Sequence, residues 1–565
     1  MNAPLASAVL PAALPLQADP VHAAILRVRG LTVAAAGAAR QVVDGLSLDV
    51  AAAETLCVVG ESGSGKSVTA LSVMGLLPSA ALRIAGGSIV LDGEELVGAP
   101  AQRLRQLRAS RMAMVFQEPM TALNPVQPVG RQIEEVLRIH TPLPAAQRRA
   151  RVLEMLEEVQ LPDAGRIFDA YPHQLSGGQR QRIVICMALV LKPRLLIADE
   201  PTTALDVTTQ KQILGLMREL QQRHGTGLLF ITHDFGVVAE LADRILVMKD
   251  GCAVETGSRT QVLSQPREAY TRQLVSSVPS LLPRPARAVD GTAVLQVERL
   301  DKIYAERRWF VRGRRVAAAQ DVGFVLRRGE ILGLVGESGS GKSTVARSVA
   351  RLVDPTAGAI RVGGVYIAQL PVRQLRPLRR KVQIVFQDPY RSLNPRRRVG
   401  DSLIEGLVNY GTPRRQAWER ALELLALVGL PADALQRFPH QFSGGQRQRL
   451  CIARALAPQP DVLVADEAVS ALDVTVQAQV LALLEQVRAA TGTAILFITH
   501  DLRVAAQVCD TIAVMQSGRL VECGPAGRVL REPQQAYTRA LLAAAPGRDW
   551  DFQNFRPAAV ADAGA

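Results

Sequence analysis

Two eight-residue stretches of this chain are identical: Gly60, Glu61, Ser62, Gly63, Ser64, Gly65, Lys66, Ser67 and Gly336, Glu337, Ser338, Gly339, Ser340, Gly341, Lys342, Ser343. Each fits G-x-x-x-x-G-K-[ST] and follows an apolar run. In such a loop the backbone N–H groups wrap phosphates, the Lys reaches the outer ones and the hydroxyl serves a magnesium ion. One chance match in a chain of this size is expected on the order of 10⁻² times. Two identical matches therefore mark a duplicated phosphate-binding device.

Further along each half, an apolar run ends in two acids: Leu195 to Ala198 before Asp199 and Glu200, and Val462 to Ala465 before Asp466 and Glu467. Buried strands rarely end in paired carboxylates without cause, because burying a charge is costly. Such a pair suits a metal and an attacking water, the first acid orienting Mg²⁺ and the second acting as general base or water-positioner. Four more features recur in the same order in both halves: Val-Phe-Gln at Gln117 and Gln387, Ser-Gly-Gly-Gln at 176–179 and 443–446, Ala-Leu-Asp at 204–206 and 471–473, and Thr-His-Asp at His233 and His500.

These residues need a scaffold. Short apolar runs rich in Val, Ile and Leu, such as Leu56 to Val59, Leu228 to Thr232, Ile331 to Val335 and Ile495 to Thr499, each lead into turn residues or a helix. That pattern predicts an α/β fold with a parallel sheet carrying the Gly-rich loops at strand C-terminal ends. Apolar residues at helical spacing over 132–159 and 402–428 predict a helical subdomain in each copy. The organisation expected is a disordered leader (1–23), a first domain (24–260), a linker (261–292) with prolines at 266, 279, 283 and 285, a second domain (293–545) and a flexible tail (546–565).

Composition bounds the rest. With 565 residues, 48% of them hydrophobic and 21% charged, the chain is ordinary globular protein of several domains. Six scattered cysteines at 57, 186, 252, 451, 509 and 523 have neither disulfide-framework nor zinc spacing. The first 26 residues hold no Lys or Arg, unlike a signal peptide, and no uncharged apolar stretch of about 18 residues is present to span a membrane. The net charge of +14 would suit nucleic acid or an anionic membrane surface, but the arginines are spread out and lack interleaved aromatics.

Taken together, loop, signature, strand-Asp-Glu, Ala-Leu-Asp and Thr-His-Asp resemble ATP-binding-cassette nucleotide-binding domains, over both halves of the chain. The resemblance implies two tandem P-loop cassettes, each a parallel-sheet core with a helical subdomain and an antiparallel β subdomain. It also implies a head-to-tail sandwich. One ATP site would join Gly60 to Ser67, Gln117, Asp199, Glu200 and His233 with Ser443, Gly444, Gly445 and Gln446. The other would join Gly336 to Ser343, Gln387, Asp466, Glu467 and His500 with Ser176, Gly177, Gly178 and Gln179. By the same resemblance Glu200, Glu467, His233 and His500 are catalytic, while Ser67, Gln117, Asp199, Ser343, Gln387 and Asp466 hold Mg²⁺. Tyr304 stands where the family stacks an aromatic on adenine; its first-copy counterpart is Ala35, which predicts weaker adenine binding there.

Leu-Asn-Pro at 123–125 and 393–395, with Ala-Tyr-Thr-Arg at 269–272 and 536–539, resembles the dipeptide, oligopeptide and nickel importer branch. The implied role is the ATPase of a peptide importer, peripheral on the cytoplasmic face of the bacterial inner membrane. Its implied partners are two integral-membrane permeases and an extracytoplasmic substrate-binding protein, with no nucleic acid. Many members of that branch carry a cysteine cluster after the Tyr-Thr-Arg segment; none stands here, so no iron–sulfur cluster is implied. The alternative reading is a soluble tandem cassette protein acting on ribosomes or DNA.

Overall fold

The computed structural model describes residues 24–37, 41–117, 119–202, 205–305, 315–470 and 472–558. The leader at 1–23, the Ala204 and Ala471 positions and the last seven residues lie outside them. Two copies of one architecture succeed each other, as the repeat requires. In the first, a six-stranded sheet runs in spatial order Cys252–Ser258, Arg244–Lys249, Thr55–Val59, Gly227–Ile231, Leu195–Asp199 and Met112–Val115. Its neighbours are parallel except at the Cys252–Ser258 edge. Thr55–Val59, Leu195–Asp199 and Gly227–Ile231 are buried at every position, because both faces of the sheet are covered: helices lie on one, and the antiparallel strands with the helix that follows the Gly-rich loop lie on the other. This is why the sequence shows continuous apolar runs rather than alternation there.

A second sheet of four antiparallel strands, Gln41–Ala51, Ala24–Ala35, Leu82–Leu91 and Glu94–Glu95, packs beside the first. Helices Val129–His140, Ala145–Glu158 and Gly177–Leu189 form the helical part. The second copy repeats all of this, with a six-stranded sheet from Val382–Val385 to Arg519–Pro525 and helices Val399–Asn409, Arg414–Leu427 and Gly444–Leu456. Parallel core, helical part and antiparallel β part are thus present twice, the fold class that the sequence predicts.

Two boundaries differ from the sequence reading. The segment 261–292 opens with ordered structure: helix Arg259–Ser264 runs into it and helix Ala269–Ser276 comes next, both with apolar residues buried in the first domain. Only the stretch beyond that second helix is irregular, and it is fastened to the second domain by Arg284 and Arg287, which reach Glu485, while Arg287 also reaches Asp510. The stretch 546–558 is not a free tail. Residues 550–551 pair with 556–557, and Phe552, 1% exposed, sits in the first domain's core with Trp550 and Phe555 against it. Polar composition suggests a loose end, but three aromatics within six residues carry enough apolar area to dock.

The domains also trade side chains. Val474 of the second domain joins the first domain's core, and its equivalent Val207 joins the second's.

Candidate functional site

Each Gly-rich loop joins a central strand of its sheet to the helix that begins at its lysine. Gly63 and Gly65 have φ of 82° and 99°, left-handed values that only glycine adopts without strain. A Cβ on Gly60 would stand 2.2 Å from the Met248 carbonyl oxygen, so the loop closes on the neighbouring strand only without side chains. Lys66 is buried and folded over the loop, with Nζ donating to the carbonyls of Gly60 (2.7 Å) and Glu61 (2.8 Å). Lys342 does the same to Gly336 (2.8 Å) and Glu337 (2.7 Å). Burial holds both ammonium groups below their ordinary pKa, against the pull of Glu200 and Glu467 respectively. A desolvated cation curled over a ring of N–H groups is an anion site.

The acids lie beside the loops. Ser67 Oγ donates to Asp199 Oδ1 at 3.1 Å, and Ser343 Oγ to Asp466 Oδ1 at 3.0 Å. Both aspartates are buried, and burial pushes their carboxyls up, opposed by the serine hydrogen bonds. Glu200 takes Gln117 Nε2 at 2.9 Å on one oxygen and faces His233 Nδ1 at 3.0 Å with the other. Glu467 takes Gln387 Nε2 at 2.7 Å and faces His500 Nδ1 at 3.5 Å. Burial opposes charge on both histidines, but the glutamate hydrogen bonds and nearby acids outweigh it and raise both. Burial works to raise Glu467 in turn, but the His500 hydrogen bond and charge outweigh it and hold the carboxyl below its ordinary range. The hard-oxygen set of serine hydroxyl, buried aspartate and glutamine amide fits a magnesium ion.

The signature serines have an occupation that their sequence encodes. Ser176 and Gln179 form a reciprocal capping box at the start of helix Gly177–Leu189, and Ser443 and Gln446 do so at Gly444–Leu456. S-x-x-Q is the capping pattern, so the motif builds the helix N-terminus that it presents. Its second glycine is a packing requirement. A Cβ at Gly178 would meet Thr209 Cγ2 at 2.5 Å, and one at Gly445 would meet Val476 Cγ1 at 2.3 Å. Gly177 and Gly444 face no such obstacle.

The two halves meet loop to helix. Thr208, next to the residue against which Gly178 packs, lies 2.6 Å from Glu337 Oε1 in the opposite Gly-rich loop. Reciprocally, Thr475 lies 2.5 Å from Glu61 Oε1. Asp473 Oδ1 accepts from Ser62 N at 2.9 Å. Its equivalent Asp206 instead caps its own helix through Thr209 N at 2.9 Å. Each loop is therefore touched by the helix that supports the other domain's signature, the arrangement expected of a head-to-tail sandwich.

Tyr304 lies on an antiparallel strand, 42% exposed, with Lys302 Nζ 5.0 Å from its ring centroid. The register agrees that Ala35 is its counterpart: Ile303 pairs with Ala317 as Ala34 pairs with Gln41. Sequence reasoning missed Tyr270 and Tyr537, whose hydroxyls accept from the backbone N–H of Glu61 (3.3 Å) and Glu337 (3.2 Å). The repeated Ala-Tyr-Thr-Arg spacing was the available signal, here tying each loop to the helix after its sheet.

Comparison with known proteins decides the family. The ABC transporter model matches residues 43–203 and 319–470, over half of the chain. The chain belongs to the ABC transporter family. It carries the family's ATPase cassette twice, fused in one polypeptide. A second model, the oligopeptide/dipeptide transporter C-terminal region, matches 254–314 and 521–556, the segments holding both tyrosines and the docked C-terminal stretch. Similar proteins include the glutathione import ATP-binding protein GsiA of Salmonella typhimurium, 46% identical over 93% of this chain and 90% of that protein, and of Pectobacterium atrosepticum, 45% identical over the same shares. The same-named protein of Escherichia coli O157:H7 is 46% identical over 89% and 86%. Among solved structures, a dimeric post-hydrolysis state of the ATP-binding cassette MJ0796 bound to ADP and Pi matches with 28% identity and a TM-score of 0.38, covering 41% of this chain and 98% of that one. The family and its import relatives favour transport and set aside the ribosome or DNA alternative. Among the described residues, no helix is long and apolar enough to cross a membrane.

Proposed function

We propose that the chain powers import of a peptide-class substrate by hydrolysing Mg²⁺-ATP at two composite sites. The observation that carries this is the pair of closed constellations in which Glu200 and Glu467 are each held between a glutamine and a histidine beside a Gly-rich loop. Glu200 and Glu467 position and deprotonate the attacking water; His233 and His500 face the outer phosphate; Lys66 and Lys342 bind it. Ser67, Gln117 and Asp199, with Ser343, Gln387 and Asp466, would hold Mg²⁺, which supplies charge neutralisation on the phosphates. Signature residues 443–446 and 176–179 complete the first and second sites from across the interface.

Partner permeases are supported by an apolar groove of about 250 Å³ lined by Met74, Leu76, Met114, Phe116, Val136 and Met187. Phe116 directly precedes Gln117, so a helix seated there would press on the neighbour of that metal-site glutamine. Leu76 is 38% exposed and its second-copy equivalent Leu352 is 49% exposed, giving each domain an uncovered leucine at the same place. We place the chain on the cytoplasmic face of the inner membrane, under two permeases fed by an extracytoplasmic binding protein. The relatives' role in glutathione import makes glutathione, itself a tripeptide, the first substrate to test. In proteoliposomes holding the permeases, binding protein and this chain, ATP should drive uptake of glutathione or dipeptides. Purification without permeases and absence of uptake of either would overturn the reading.

A further inference from the structure

Arg503 lies deep in the interface, 7% exposed, and contacts both halves of the molecule. Its Nη1 and Nη2 donate to Asp234 Oδ1 (3.0 Å) and Oδ2 (3.1 Å) of the first domain. Nη2 and Nε also donate to Asp501 Oδ2 (2.8 Å) and Oδ1 (3.1 Å) of its own domain. Asp234 and Asp501 are equivalent residues of the two copies, each directly after the site histidine. Each caps the short helix that comes after its histidine, through Gly236 N and Arg503 N at 2.8 Å apiece. One guanidinium thus bridges two carboxylates that the internal repeat brings face to face.

The arrangement has no twin. The residue equivalent to Arg503 is Gly236, and a Cβ there would stand 2.2 Å from Arg503 Nη1. The first copy therefore leaves out a side chain so that the second can insert one. A third acceptor, the Pro546 carbonyl at 3.2 Å, comes from the docked C-terminal stretch. The forked planar guanidinium suits two carboxylates at once, whereas an ammonium does not. Without it, two half-buried like charges would repel and carry the adjoining histidine loops with them.

We infer that Arg503 is a positioning residue that the second domain supplies to both histidine loops, coupling the geometry of the two ATP sites. This rests on the proposed roles of His233 and His500. In the full chain with Mg²⁺-ATP, Arg503→Met should lower kcat at least about tenfold while KM for ATP stays within about twofold, because the nucleotide-holding loops are untouched. Arg503→Lys should recover part of the loss, and Asp234→Asn, which keeps the pair with Asp501, should lower kcat by less than Arg503→Met. A folded Arg503→Met chain with unchanged kcat, or one whose KM rises as much as kcat falls, overturns the inference. Should that variant not fold, Asp234→Asn decides, unchanged kcat being the overturning result. His233→Ala measured alongside separates the layers: if it too turns over normally, the reading of the site fails; if it alone is impaired, only the role of Arg503 does.

Discussion

Glu200 and Glu467 sit at φ of 46° and 49°, a left-handed backbone that costs a non-glycine residue about 1 to 3 kcal/mol and persists only where surroundings enforce it. The enforcement is visible: the N–H of each is held by the neighbouring strand, at Ile231 O and Ile498 O. The conformation turns each carboxylate toward its glutamine and histidine. Glu200→Gln and Glu467→Gln should each cut ATP turnover by about a hundredfold or more while ATP still binds, as steady-state ATPase and nucleotide-binding titrations would register. Near-normal turnover in either variant would remove that site from the mechanism. Adenine recognition differs between the copies. Tyr304→Ala should weaken nucleotide binding at the second site by roughly 1 to 3 kcal/mol, and Ala35→Tyr should strengthen it at the first, both read by titration with a fluorescent ATP analogue. Equal affinities in all three proteins would sink the asymmetry.

At the level of elements, the signature helices are set by a cap at one end and a missing side chain next to it. Gly445→Ala should destabilise the chain by about 1 to 3 kcal/mol through overpacking against Val476, and Val476→Ala should recover most of that in the double variant. Additive losses in thermal melts would show that the contact is not the cause. The linker element is held electrostatically. Burial works to raise the Glu485 carboxyl, but hydrogen bonds from Arg488 and Arg287, with the charges of Arg287 and Arg284, outweigh it and bring it down to about 2. A carboxyl lowered in the folded state adds stability that is complete above its unfolded pKa of 4.5 and is lost as pH falls through about 2. The melting-temperature gap between wild type and Glu485→Gln should thus be widest near neutrality and close as pH drops from 4.5 toward 2. A gap independent of pH would contradict this.

For the whole molecule, the docked C-terminal stretch makes the fusion more than a tether, since the end of the second domain completes the first domain's core. Phe552→Ala should cost about 3 to 5 kcal/mol and lower the melting temperature by several degrees, as scanning calorimetry would resolve. A melt that matches wild type would mean that the stretch adds nothing. Composition could not foresee this, because a polar segment with three aromatics reads as a loose end until a partner surface exists.

By itself the sequence determined the fold class and the duplication, and it carried in repeated motifs the chemical groups proposed for the two sites. Those signals are local: a phosphate loop, a Ser-Gly-Gly-Gln signature and an apolar strand ending in acids are each written within about eight residues and are governed by backbone geometry close at hand. The tertiary structure alone decided what depends on distance along the chain. It paired Thr208 with Glu337, tied Tyr270 and Tyr537 to the Gly-rich loops, seated Phe552 in a core hundreds of residues earlier and set Arg503 between Asp234 and Asp501. Arg503 and Gly236 carry no pattern of their own. Their meaning arises only when the pseudo-symmetry of two folded copies places both at one point, where there is room for a single side chain and need for a single positive charge.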